Sequence, residues 1–325
     1  GYQLAGTVVA ARSQIHPSQF LEQHSTKNPH FWTPADADYP RLLLEIPSPP
    51  PVLYYRGQVQ PQENQGIKPM VGIVGTREPT EYGKRWTRKV SAALAKHGFT
   101  VVSGMAAGID TEAHLGCLAL GGRTIAVLGT GVDMIYPPRN RNLYEQIQQQ
   151  GLVVSEYPAG TQPNRVHFPQ RNRIIAGLSR AIVVMEAPTK SGALITAYQA
   201  NDFCRDVYVL PGRLDDQQSL GCLGLLSRGA QAFVSEGHLL EMLGAMPELD
   251  PVVQLPLFAQ EQSPSVPELE PELAKVLQVL PSEPTSFDVI VQQVGLEAGM
   301  VSGALLQLEL MGLVSQLPGM RYQRC

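Results

Sequence analysis

The chain has 325 residues, 43% of them apolar, and a formal net charge of −4; that length allows two or three domains with real cores. No apolar run approaches the roughly 20 residues a membrane helix needs, and the opening "GYQLAGTVVAARSQ" lacks the basic flank and apolar core of a signal peptide, so a cytoplasmic protein with no membrane partner is predicted. The four cysteines form no CxxC pair and the seven histidines are scattered, which predicts reduced thiols and no metal site.

The charge is uneven. Residues 1–67 carry net −1, residues 68–230 net +6 and residues 231–325 net −9. A basic middle in an acidic chain fits an anionic ligand held there, or a merely solvated surface.

Residues 1–67 read as an N-terminal arm. Within it "DYPRLLLEIPSPPPVLYYRG" (38–57) is proline-rich and is expected to be irregular chain packed on the next domain. From Met70, β-rich runs at 70–75, 99–103, 123–129, 152–156, 181–186, 207–211 and 230–235 alternate with helical segments. The clearest helix is 82–97, with Trp86, Val90, Ala93, Leu94 and His97 on one face. Runs apolar throughout and joined through helices predict a mostly parallel sheet covered on both faces. That is an α/β, doubly wound, Rossmann-like domain over 68–245. Its last segment, "FVSEGHLLEMLGAM" (233–246), has an apolar face (Leu239, Leu240, Met242, Leu243) that reads as core or as a dimer contact. Residues 246–269, rich in Pro, Gln, Glu and Ser, read as a linker. Three short helical segments and two strands about a Gly turn then predict a winged helix-turn-helix over 270–325. Residues 267–325 hold three basic and seven acidic side chains, and the candidate recognition helix has no Lys or Arg. Duplex recognition needs cations, so this domain is predicted to contact protein or to regulate.

Ligands of open parallel sheets bind beyond the carboxyl ends of the strands. The loops there, "GTREPTEYG" (75–83), "SGMAAGID" (103–110), "GTGVD" (129–133) and "EAPTKSG" (186–192), are rich in Gly, Ser or Thr and lead into helices. Such loops offer free amides and the positive end of a helix dipole to an anion. None is a G-x-G-x-x-G or Walker A pattern, so no nucleotide cofactor is predicted. Ser191 fits a helix cap as well as a ligand contact, Lys190 is favoured as a phosphate donor, and Asp110 reads as a cap more than a base. Residues 165–180, "RVHFPQRNRIIAGLSR", hold four arginines and no carboxylate. Arg171 and Arg173 bracket Asn172 near a helix start, where cations oppose the dipole unless an external anion is present; Phe168 beside them suits stacking on an unpaired base. The competing reading is an arginine network on the domain's own carbonyls. Arg165 and Arg180 read as surface charges.

In this order, "VGIVGTREPTEYG", "VVSGMAAGIDTEAH", "VLGTGVDMIYPPRNRNLY", "SEYPAGTQPNRVHFPQRNRIIAGLS", "EAPTKSGALITA" and "VYVLPG" resemble the DNA-processing protein A (Smf/DprA) family over about residues 38–245. Residues 270–325 are similar to the winged-helix tail many members carry. The resemblance implies an extended Rossmann fold that is not an enzyme, binds single-stranded DNA, forms a homodimer and loads the RecA recombinase in natural transformation. It also allows a short sterile-alpha-motif-like domain ahead of Gly1. The DNA contacts it implies are Gly75, Thr76 and Arg77; Ser103, Gly104 and Gly108; Phe168, Arg171, Asn172 and Arg173; and Lys190, Ser191 and Gly192. Two departures stand out: Cys204 where a Gly usually precedes the Arg, and Cys222–Leu223 in place of a hydroxyl and an Asn. The alternative is a nucleotide phosphoribohydrolase of the lysine-decarboxylase-like type, whose loop needs an acid that "PTKSGALITA" (188–197) lacks.

Overall fold

Each of the seven β-rich runs forms a strand, buried along most of its length in all but the last, 230–235. A computed structural model describes residues 18, 24–28, 30–244, 271–281, 284–317 and 319–324, in two units, Gly1–Asp250 and Pro251–Cys325. The first unit begins with β1 (Phe31–Trp32), α1 (Arg41–Leu44), β2 (Leu53–Gly57) and α2 (Pro61–Asn64). It continues through β3 (Met70–Val74), α3 (Glu81–Lys96), β4 (Thr100–Ser103), α4 (Ile109–Leu118), β5 (Thr124–Val127), α5 (Arg141–Gln150) and β6 (Leu152–Ser155). Then come α6 (His167–Leu178), β7 (Ala181–Val184), α7 (Gly192–Asp202), β8 (Asp206–Val209), α8 (Leu220–Leu226), β9 (Gln231–Ala232) and α9 (Glu236–Gly244).

The sheet has the order β1-β2-β6-β5-β4-β3-β7-β8-β9. Neighbours from β6 to β9 are parallel, and β1 and β2 form an antiparallel edge. Alternate residues serve opposite cores. Met70, Val74, Val102, Ile125, Val127, Ile182 and Val184 pack with residues of α1, α6 and α7, while Val71, Ile73, Val101, Ala181 and Val183 pack with residues of α3, α4 and α9. Full burial of each such side chain contributes roughly 1.5–3 kcal/mol, so both faces must be covered. That is why the runs read as apolar throughout.

Two expectations change, and one open reading is decided. The arm is not irregular over 38–57: it contains α1 and β2, and β2 pairs with β6 through Tyr54–Gly57. Prolines at 47 and 49–51 break the pattern but all precede β2, which contains none and so keeps its ladder donors. His97 leaves the apolar face of α3 and ends the helix exposed, its Nδ1 2.9 Å from the Ala93 carbonyl. The apolar face of α9 is internal, since Leu239 and Leu243 are buried and Leu240 and Met242 pack against the same core. The 246–269 linker lies outside the described residues. Cys204 adopts φ 57°, in the left-handed region, which is the physical reason a Gly suits that position.

The second unit contains α10 (Pro271–Val279), β10 (Thr285–Ser286), α11 (Phe287–Val294), α12 (Ala298–Leu310), β11 (Val314–Leu317) and β12 (Arg321–Arg324). Its sheet order is β10-β12-β11, and Leu273, Val276, Ile290, Val301, Leu305, Leu308 and Tyr322 form its core. This is a winged helix. Among the described residues no single helix is long and apolar enough to cross a membrane; α11 and α12 pass on composition only as a pair bent by 110°.

The arm is tied to the sheet by a buried ion pair. Glu63, 1% exposed, takes Arg123 Nη2 at 2.9 Å and Nε at 3.0 Å, and its Oε1 also accepts from Thr100 Oγ1 at 2.6 Å. Removing one member of such a pair strands the other charge. Glu63→Ala should therefore lower the unfolding free energy by about 3–5 kcal/mol in urea denaturation; a loss below about 1 kcal/mol would contradict the assignment.

Candidate nucleic-acid interface

The chain winds outward from β3 through β4, β5 and β6, crosses back through α6, and winds the other way through β7, β8 and β9. Adjacent β3 and β7 (Val74↔Val184) are thus a topological switch point. Loops leaving them diverge, and a crevice opens beyond their carboxyl ends. The cleft there has a volume of about 640 Å³. Gly75, Thr76, Arg77, Asp110, Tyr136, Arg165, Phe168, Arg171, Asn172, Ser191, Gly192 and Thr196 are among the residues lining it.

Of the thirteen residues singled out in the sequence, eight line this cleft: Gly75, Thr76, Arg77, Phe168, Arg171, Asn172, Ser191 and Gly192. Lys190 is exposed on the adjoining loop, without an ion pair among the described residues. The Arg77 guanidinium lies 5.4 Å from the Phe168 ring centroid, and Asn172 Nδ2 donates to the Gly192 carbonyl at 3.2 Å, joining α6 to the 188–192 loop. Ser191 caps α7, its hydroxyl accepting from Ala193 N at 3.2 Å. The other four lie elsewhere. Ser103 is fully buried and donates to the Ile73 carbonyl at 2.7 Å. Gly104 and Gly108 line smaller hollows that share Arg77 with the cleft. At Gly108, φ is 81° and a Cβ would lie 2.6 Å from the Arg77 carbonyl carbon, so this position admits only Gly.

The two bracketing arginines depart most from expectation. Because α6 begins at His167, Arg171 and Arg173 are its fifth and seventh residues, beyond the first turn where the dipole acts. Arg171 is 3% exposed and its Nη1 donates to the carbonyls of Gly104 and Val127. Burial draws this guanidinium down to about 10, so it stays charged at neutral pH. Arg173 makes a two-pronged pair with Glu156 (2.7 Å each) and donates to Ser48 O at 3.1 Å, facing a separate hollow. The internal network is therefore the observed state of both. Among the described residues, the cations without an ion pair at the cleft are Arg77 and Arg165, with Lys190 on the adjoining loop; Arg165 is thus more than the ordinary surface charge its sequence suggests.

Three further lining residues stand outside those thirteen, one of them Asp110, which the sequence reads as a helix cap more than a base. Tyr136 stands 39% exposed with its ring centroid 5.5 Å from that of Phe168, which doubles the aromatic surface. Asp110 is the second residue of α4, behind the cap position Gly108, and accepts from Ala106 N at 3.3 Å. Burial raises its carboxyl above the usual range, opposed by Arg171 and Arg77. Thr196 completes the α7 side. The "YPP" spacing signals a turn, but nothing in it says which way a tyrosine will face.

The family model for DNA recombination-mediator protein A matches residues 30–244, and the model for the DprA winged helix domain matches residues 260–320. The chain is 55% identical to Protein Smf of Synechocystis, across all of this chain and 87% of that protein. It is 40% identical in sequence to the solved DNA processing protein A of Streptococcus pneumoniae, covering 70% of this chain and 78% of that one, with a TM-score of 0.65. For Helicobacter pylori DNA processing protein A, solved to describe its single-stranded DNA binding mode, the figures are 32%, 66%, 95% and 0.59. The chain belongs to the DNA recombination-mediator protein A family.

Stability separates the two kinds of arginine. Arg171→Met leaves two buried carbonyls without their donor and should cost about 2–3 kcal/mol. Arg77→Ala, at an exposed position, should stay within about 0.5 kcal/mol of the parent. Urea unfolding of both variants checks this, and equal losses would refute the division.

Proposed function

We propose that the cleft is a non-catalytic track for single-stranded DNA. The observation that carries this is the placement of Arg77, Lys190 and Arg165 around a crevice whose wall presents the paired rings of Tyr136 and Phe168. Phosphates bind the guanidinium and ammonium groups and the loop amides after β3 and β7, while bases stack on the rings without being read. A duplex keeps its bases stacked inward and cannot offer a ring to Phe168. The Helicobacter pylori relative, a single-stranded DNA binder, supports the same reading. By family resemblance, this protein protects incoming strands as a homodimer in the cytoplasm and loads the RecA recombinase in natural transformation. A monomer mass in light scattering at micromolar concentration would overturn the dimer. Failure to speed recombinase assembly on a single strand would overturn the loading role.

One observation favours a catalytic reading: the buried Asp110 carboxyl faces the cleft with a raised affinity for its proton, as active-site acids often do. Release of free base from nucleoside monophosphates would establish that reading.

Fluorescence anisotropy with labelled oligo-dT tests the main one. Affinity should fall with salt by about 0.7 log units per log unit for each phosphate neutralised, and duplex of equal length should bind less tightly. The triple variant Arg77→Ala/Arg165→Ala/Lys190→Ala should lose several kcal/mol in all, at roughly 1 or more per charged contact. A chain ending at residue 264 should keep its affinity within about twofold, because the winged helix has few cations to offer. Equal binding of duplex and single strand near physiological salt would sink the proposal.

A further inference from the structure

Resting on the reading of the cleft as a single-strand site, we propose that Glu186 is a positioning residue that fixes the loop carrying Arg77. Glu186 follows β7 and is 1% exposed, yet among the described residues no cation pairs with it. An unpaired buried carboxylate is costly. Burial accordingly raises its affinity for a proton, and nearby Asp216 adds to the effect. A residue this unfavourable to the core has to be explained by what its oxygens hold.

They hold the 75–80 loop at both ends. The Glu186 backbone carbonyl accepts from Thr76 N at 2.7 Å. Its carboxylate accepts from Thr80 N at 2.8 Å and from Thr80 Oγ1 at 2.5 Å. Thr80 Oγ1 in turn accepts from Gly83 N at 3.1 Å and so caps α3. Any side chain at position 83 would strike the carboxylate, 2.8 Å away at Oε1, so Gly83 leaves the room Glu186 occupies. Arg77 sits between the two anchors. No ion pair involving it is recorded among the described residues, and its guanidinium stays over Phe168. A long exposed arginine in a loosely tethered loop would lose much of its binding contribution to ordering entropy. The strap removes that loss before the strand arrives.

Glu186→Gln keeps the volume but replaces the carboxylate by a neutral amide, one end of which only donates, so the charge assistance to the Thr80 bonds is lost. Binding of labelled oligo-dT should weaken about tenfold, the order of one such bond, and the salt slope should fall by about 0.7, one phosphate contact. In an Arg77→Ala background the same change should cost less than about twofold, since the residue it positions is gone. Hydrogen exchange by mass spectrometry should show faster exchange of the 76–80 amides with the rest of the sheet unchanged. Thr80→Val, which leaves Glu186 intact and removes the hydroxyl, should reproduce the affinity loss and serves if Glu186→Gln does not fold. Parental affinity and slope in these variants, or an undiminished loss in the Arg77→Ala background, would overturn the inference. If the parent chain fails to bind oligo-dT at all, the reading of the cleft falls, and this inference with it; if the parent binds and Arg77→Ala weakens it while Glu186→Gln does not, only the strap falls.

Discussion

Parallel pairing of β3 with β7 is the constraint on which everything else in the first unit depends. Those two strands are central, buried on both faces, and far apart in the chain, with the whole β4–β6 winding between them. Their register sets Val74 beside Val184. The loops that follow must therefore leave the sheet side by side and part in opposite directions. A crevice at that point is a consequence of topology, not of any particular side chain. What the side chains decide is its sign, its depth and its stiffness.

Sign is decided by which arginines the fold engages for itself. Arg123 is held by Glu63, Arg173 by Glu156 and Arg205 by Glu45, and Arg171 is bound to carbonyls inside the domain. These four hold the arm, the crossover helix and the Gly104 loop together, so part of the basic surplus of residues 68–230 is internal. Arg77, Arg165 and Lys190 remain exposed where the loops converge, and there the low-dielectric walls of a cleft strengthen their field. Arg171 contributes to that field as well: it lines the cleft and is charged at neutral pH.

Much of this was legible from residue order. Strands buried on both sides leave continuous apolar runs, and Gly-rich loops before helices mark the ligand edge, so the α/β architecture and the position of the cleft could be read directly. Side-chain direction could not. "RNR" gives the same charge count whether its guanidinium groups face solvent, a carbonyl or a carboxylate, and only the phase of α6 turns Arg171 inward and Arg173 toward Glu156. Tyr136 and Glu186 are hidden in the sequence for a related reason. Each sits in a loop or first turn where no periodicity reports facing, and each acts through a partner distant in sequence. Proline density makes the arm read as irregular, yet prolines 47 and 49–51 all lie ahead of β2, so the strand itself loses no ladder donor.

The second unit shows what a fold name leaves open. A winged helix presents one helix outward, and in duplex readers that helix carries the cations. Here α12 has none. Its buried side is Val301, Ala304, Leu305 and Leu308, and its outward side includes Met300, Leu306 at 59% exposure and Leu310 at 82%. An apolar helix face next to an acidic surface repels phosphate twice over: there is no positive charge to replace released counterions, and the existing charge has the wrong sign. The second unit thus has the architecture of a winged helix, with three basic against seven acidic side chains over residues 267–325, too few cations to make it the place where phosphates would be held.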